Sequence, residues 1–223
     1  MENLDIQKII QKTYYLHSEK DFTHAEQIVR LMPNYAVKSE KKYQIVDYFF
    51  ETPEKLLEQI DASIRIRIAE NKQILSIVCN NDGKRREFET EMQVGENIQD
   101  KNEYILFLED KIQDIYTHKI DVDVARMLKN LKVFLSIVTQ RKQLDVINNQ
   151  GFDSLVNLDR VEYQTKRQNI KDNVFEIKMN CFADVANKTA FERLCKSVEQ
   201  KILITPMDET KFDAGKRISK YEY

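Results

Sequence analysis

The 223-residue chain has only four glycines, three prolines and three cysteines, and no tryptophan. So little glycine and proline leaves no long flexible linker, and no internal repeat or low-complexity tract interrupts the chain, so a single domain over 1–223 is expected. Cys79, Cys181 and Cys195 are far apart and form no CxxC pair, which argues for buried free thiols rather than metal ligands or a nucleophile. His17, His24 and His118 are too few and too scattered for a zinc site or a serine triad. No GxGxxG or Walker pattern is present. No apolar run approaches the roughly 18 to 20 residues of a membrane span. The start, "MENLDIQKIIQK", lacks the basic-then-apolar layout of a signal peptide. A cytoplasmic protein with no membrane partner is expected. The net charge of -2 and pI near 6.0 argue against a general nucleic-acid coat. Any anion site must therefore be local.

What the chain does have is apolar residues in two periods. Leu4, Ile6, Ile9, Ile10 and Tyr14 recur at helical spacing and predict an N-terminal helix over about 1–18. Strand-like alternation follows over about 24–32, 43–50, 63–69, 73–79 and 84–92, and "NNDGK" at 80–84 predicts a tight hairpin, because Asp-Gly tolerates the positive φ that such turns require. Between 96 and 131, Ile105, Leu108, Ile112 and Ile115, then Val124, Met127, Leu128 and Leu131, recur at three and four and predict a two-helix insertion. Strands return at about 132–147, 154–166 and 172–180, and a last amphipathic helix spans about 187–203. The composite is an α+β protein whose antiparallel strands could curl into a barrel.

Charge is distributed along the strands in a telling way. In "SIRIRI", Arg65 and Arg67 are two apart and share one strand face, while Ile64, Ile66 and Ile68 share the other. In "KRREFETEM", Arg86 alternates with Phe88 and Thr90, opposite a stripe of Glu87, Glu89 and Glu91. Arg141 lies on the face of Thr139, and Glu176 shares a face with Lys178. Turning so many ions away from water costs several kcal/mol per ion unless each finds a partner. Arginine forks bind phosphate oxygens bidentately, and interleaved carboxylates can hold a hard divalent cation that bridges them. The ligand implied is a run of phosphates with a metal.

These stretches resemble the CYTH, or triphosphate tunnel metalloenzyme, family. "YQIVDYFFETPEKLLEQIDASIRIRI" is similar to its Q-x-D-x-Y-F-x-T-P strand and turn followed by L-R-x-R, and "KRREFETE" to its R-x-E-x-E strand. "SIVTQRKQ" is similar to K-x-R, "LVNLDRVEY" to L-D-x-V, "FEIKMN" to the late E-x-E, and "ISKYEY" to the C-terminal S-K-Y. The resemblance implies a closed eight-stranded antiparallel tunnel with surrounding helices. Within it, Arg65, Arg67, Arg86, Arg141, Arg30 and Lys220 would bind phosphate. Glu26, Glu89 and Glu176 would hold Mg²⁺ or Mn²⁺, with Glu26 and Glu176 as the catalytic pair. Departures fall on the chemistry. In "EQIVR", taken as the opening E-x-E-x-K, Ile28 stands for a glutamate and Arg30 for lysine. Val78 and Thr139 replace lysines, and Lys178 replaces the second late glutamate.

Three functions follow as expectations. One is metal-dependent hydrolysis of a nucleoside triphosphate, an RNA 5′-triphosphate or inorganic tripolyphosphate. Another is a catalytically degenerate module that binds or senses such ligands. The last is a scaffold whose helices at 96–131 engage a protein partner.

Overall fold

The computed structural model describes residues 10–81, 84–116, 124–149, 151, 153–165, 169–179 and 185–220. They form an α+β protein with a mostly antiparallel sheet. Its strands are β1 (Ile10–Leu16), β2 (Tyr35–Glu51), β3 (Ala62–Ala69), β4 (Lys72–Asn81), β5 (Lys84–Met92), β6 (Lys132–Asn148), β7 (Asp153–Gln164), β8 (Asn169–Met179) and β9 (Ile204–Pro206). Its helices are α1 (Glu19–Arg30), α2 (Leu56–Gln59), α3 (Asn102–Tyr116), α4 (Val124–Lys129), α5 (Val185–Glu199) and α6 (Lys211–Lys220). Hydrogen-bonded neighbours run β5-β4-β3-β2-β6-β7-β8-β1-β9. The described residues divide into two compact units. The first draws on Met1–Tyr43, Thr139–Glu162 and Ile170–Ala214, the second on Gln44–Val138, Tyr163–Asn169 and Gly215–Tyr223.

Two sequence expectations are corrected in the first unit. Residues 10–16, expected inside an N-terminal helix, form β1 and pair antiparallel with β8 and β9. The deciding signal is the period of two at its end, where Tyr14 and Leu16 are both buried in the core; residues 1–9 lie outside the described set. Residues 19–30, partly expected as strand, form α1. Its physical cause is clear in hindsight. Ser18 has extended backbone and accepts the Asp21 N–H through Oγ at 3.1 Å. Glu19 and Asp21 stand at the positive end of the helix, and Phe22, Ala25, Ile28 and Val29 line one buried stripe. That stripe packs with Phe191, Leu194 and Val198 of α5 and with Leu144, Val146, Val156 and Leu158 of the strands. Sealing such side chains from water stabilises the unit by about 1.5–3 kcal/mol each.

In the second unit the expectations hold more closely. β3, β4 and β5 match the alternating runs to within two residues, and Asn81 pairs with Lys84 as a two-residue hairpin requires. The turn residues Asp82 and Gly83 lie outside the described set. The insertion forms α3 and α4 as expected. Ile105, Leu108 and Ile112 of α3 and Met127 and Leu128 of α4 cover Ile64, Ile66, Leu75 and Ile77 of the strands. At the end of β2, Glu51 accepts the backbone N–H groups of Thr52, Leu57 and Glu58, and Thr52 Oγ1 accepts that of Leu56. The "ETPEKLL" turn is therefore anchored by its own side chains.

Cys79 and Cys195 are buried free thiols, and burial pushes both up to about 11, so neither is a thiolate at neutral pH. Cys181 lies outside the described residues.

Candidate functional site

The strand register of the second unit decides which charges meet. Directly opposite residues run Asp47, Arg67, Ile74 and Glu91 in one row, and Phe49, Arg65, Ser76 and Glu89 in the next. Paired residues share a face. This face lies opposite the one that α3 and α4 cover. Arg65 and Arg67 are thus side by side on the sheet surface that carries no helix of the apolar cluster.

Neither arginine stands alone. Arg65, with a side chain 18% exposed, donates from Nε and Nη2 to Ser76 Oγ at 3.3 and 3.0 Å. Its Nη2 also reaches Glu87 at 3.2 Å and Glu89 at 3.4 Å. Arg67 forms a fork on Asp47, Nε to Oδ1 at 2.7 Å and Nη2 to Oδ2 at 2.9 Å, while Arg65 Nε lies 3.9 Å from the same carboxylate. Burial, and next the charge of Arg67, push the Arg65 guanidinium below its ordinary value, with Asp47, Glu87 and Glu89 opposing. A guanidinium starts so high that it stays ionised.

Arg86 is not brought to this cluster. It pairs with Cys79, which in turn pairs with Ala62, and so has the parity of Phe88 and Ile77, on the face that carries the helices. Glu89 does join Arg65.

In the first unit the sheet again has two faces of different chemistry. Leu144, Val146, Val156 and Leu158 face the α1 and α5 core, and Arg141 and Asp159 have the opposite parity. Arg141 forks onto Asp159 at 2.8 and 2.7 Å, and Lys211, the first residue of α6, adds a third bond at 2.5 Å. Asp159 is fully buried. Burial works against its ionisation, but the Arg141 hydrogen bond and the Lys211 charge outweigh it and hold the carboxyl below the usual range.

Glu26 and Arg30 lie elsewhere, on α1, so the strand register assumed for them fails. Lys142 donates to Glu26 at 2.5 Å and Arg30 Nε donates to it at 2.9 Å, while Arg30 Nη2 pairs with Glu40. Burial raises the Glu26 carboxyl, but these two cations outweigh it and hold it below its ordinary value. Lys142 has the parity of Leu144, so this network lies on the α1 face of β6 and Arg141 on the other. Glu176 pairs in register with Thr13 of β1, and Lys178 with Gln11. The side chains of Glu176 and Lys220 lie outside the described set.

Among the described residues no three His, Cys, Asp or Glu side chains are arranged to hold a metal ion. Glu26 is engaged by two cations, and Glu89 by Arg65. Of the three carboxylates that the resemblance implied for Mg²⁺ or Mn²⁺, Glu26 and Glu89 are thus ion-paired, and the side chain of Glu176 lies outside the described set.

Sequence reading missed Asp47, Ser76, Asp159 and Lys211. Aspartate is disfavoured inside strands, so Asp47 and Asp159, each within a strand, were signals that a partner must stand opposite.

The CYTH domain model matches residues 9–207. No curated protein matches the chain significantly. Among solved structures, a candidate adenylyl cyclase of Hippeastrum, described as having a dominant triphosphatase activity, is 16% identical, with 94% of this chain and 96% of that one covered and a TM-score of 0.54. A candidate adenylate cyclase of Bacillus halodurans is 15% identical, with 92% and 95% covered and a TM-score of 0.53. The PH1819 protein of Pyrococcus horikoshii is 16% identical, with 95% and 99% covered and a TM-score of 0.50. At such identities the likeness is one of fold. The family match spans nearly the whole chain, from β1 to the residue after β9, and on that ground the chain belongs to the CYTH domain family.

Proposed function

We propose that this chain binds triphosphate-bearing ligands in the cytoplasm, whether a nucleoside triphosphate, an RNA 5′-triphosphate or inorganic tripolyphosphate, with Arg65 and Arg67 as the phosphate contacts. The observation that carries the reading is the pair itself. Two guanidinium groups stand on one strand face, away from the helix-covered core, within a family-like motif. The proposal includes the closed eight-stranded tunnel of the family resemblance, with Arg141 as a further basic contact. Glu87 and Glu89, exposed at 37% and 50%, are acidic partners that incoming phosphate can displace from Arg65.

Hydrolysis is the second reading. The Hippeastrum protein, described by its triphosphatase activity, speaks for it. Lys178, which stands where the family resemblance has the second late glutamate, speaks for binding without turnover.

One experiment addresses both. Binding of tripolyphosphate, ATP, GTP and 5′-triphosphorylated RNA is measured by calorimetry, and phosphate release with Mg²⁺ and with Mn²⁺, for the parent and for R65A/R67A. Binding is expected to vanish in the double variant with circular dichroism unchanged. Equal binding by the variant would refute the site. Phosphate release by the parent that is lost on Glu176→Gln would establish hydrolysis.

A further inference from the structure

Asp47 is the residue of this face that the phosphate-binding reading leaves without a role. Its surroundings are unusual. The Asp47 side chain is 9% exposed, yet it lies on the sheet face opposite the apolar cluster, and its fork partner Arg67 has a side chain 38% exposed. It stands directly across from Arg67 in the β2–β3 register and touches both arginines.

Two positive charges on alternate residues of one strand are about 7 Å apart at the backbone, and long side chains in that position splay away from each other. A bidentate contact through Nε and Nη2 uses one edge of a guanidinium group and fixes the plane in which its other N–H groups lie. The same carboxylate offsets the repulsion between Arg65 and Arg67. Ser76 Oγ performs the equivalent service for the Arg65 plane.

We infer that Asp47 is a positioning residue: it orients Arg67 and screens it from Arg65, so that the pair meets phosphate oxygens as a preset fork rather than as two mobile charges. This rests on the phosphate-binding reading above. It makes a prediction of sign. Asp47→Asn leaves the face one unit more positive, so simple attraction would tighten the binding of an anion. Loss of orientation weakens it.

The test is calorimetric titration of the folded parent, D47N, R67K and D47N/R67K with tripolyphosphate. D47N is expected to bind at least tenfold more weakly than the parent. R67K, which keeps the charge and loses the fork, should lose a similar factor. The double variant should be little worse than either, because both substitutions break one unit. The Nε–H signal of Arg67 in a ¹⁵N-arginine spectrum should be protected from exchange in the parent and unprotected in D47N. Tighter or unchanged binding by D47N, or additive losses in the double variant, overturns the positioning role while leaving the phosphate site intact. A parent that does not bind tripolyphosphate overturns the site and, with it, this role. If D47N does not fold, R67K decides: a loss below threefold overturns the inference.

Discussion

Two arginine clusters in this molecule look alike on paper and differ in what surrounds the partner acid. In the first unit, Arg141 and Lys211 converge on Asp159, which is 0% exposed. In the second, Arg65 leans on Glu87 and Glu89, whose side chains are 37% and 50% exposed. A buried carboxylate cannot be rehydrated when its cations leave, so the Asp159 triad is held in place. An exposed glutamate regains water as soon as it is released, so its hold on Arg65 is weak and exchangeable. Similar residues thus build an anchor in one unit and a replaceable contact in the other.

Substitutions can break this contrast. The largest effect is expected at Asp159: Asp159→Ala leaves Arg141 and Lys211 without their shared carboxylate and should lower unfolding free energy by about 3–5 kcal/mol, read from chemical denaturation. Its pH dependence follows from the depressed carboxyl. The contribution is complete above the ordinary aspartate range and is lost as pH falls through the lower folded value. The acid limb of the parent's stability curve should therefore flatten in Asp159→Asn. An unchanged acid limb would mean that the triad adds no stability.

Glu87→Gln with Glu89→Gln sharpens the other side of the comparison. Stability should move by less than about 1 kcal/mol, and tripolyphosphate should bind several-fold more tightly, because Arg65 no longer has to exchange an internal acid for an external one. Weaker binding would mean that these glutamates assist the ligand rather than compete with it. The smallest effect is expected at the cap of α1, where Ser18→Ala should cost about 1 kcal/mol and leave ligand binding alone.

The two units were not equally legible. β3 to β5 were read almost to the residue because "SIRIRI" and "REFETEM" alternate, "QILSIVC" is a short apolar run that ends at a turn signal, and one face is buried under α3 and α4. At residues 10–16 the reading misled because the helical spacing of Leu4, Ile6, Ile9 and Ile10 was carried on through Tyr14, whereas Tyr14 and Leu16 alternate as strand. A family-like spacing then drew "EQIVR" into a strand register, although Ser18 and Asp21 marked a helix start nearby. Glu26 was misplaced for that reason. At the site, Arg65 and Arg67 could be grouped by parity alone, whereas Glu89 joins them only through cross-strand register. Arg86 could not, because only cross-strand register shows that it pairs with Cys79. The acids that position the cations come from other strands, so no local pattern showed which arginine each one holds.

The parity of β5 carries a further consequence. Arg86 and Phe88 lie on one face of this strand, and Glu87, Glu89 and Glu91 on the other. A slip of one residue against β4 would reverse the ribbon, setting a base beside Arg65 instead of an acid and driving three carboxylates towards Leu75 and Ile77. That reversal is forbidden by the core rather than by the site, since Phe88 packs against the apolar cluster under α3. The polarity of the surface beside Arg65 is in this sense inherited from a phenyl ring on the far side of the sheet, and a Phe88→Lys exchange would unfasten the charge pattern without altering a single ionic residue.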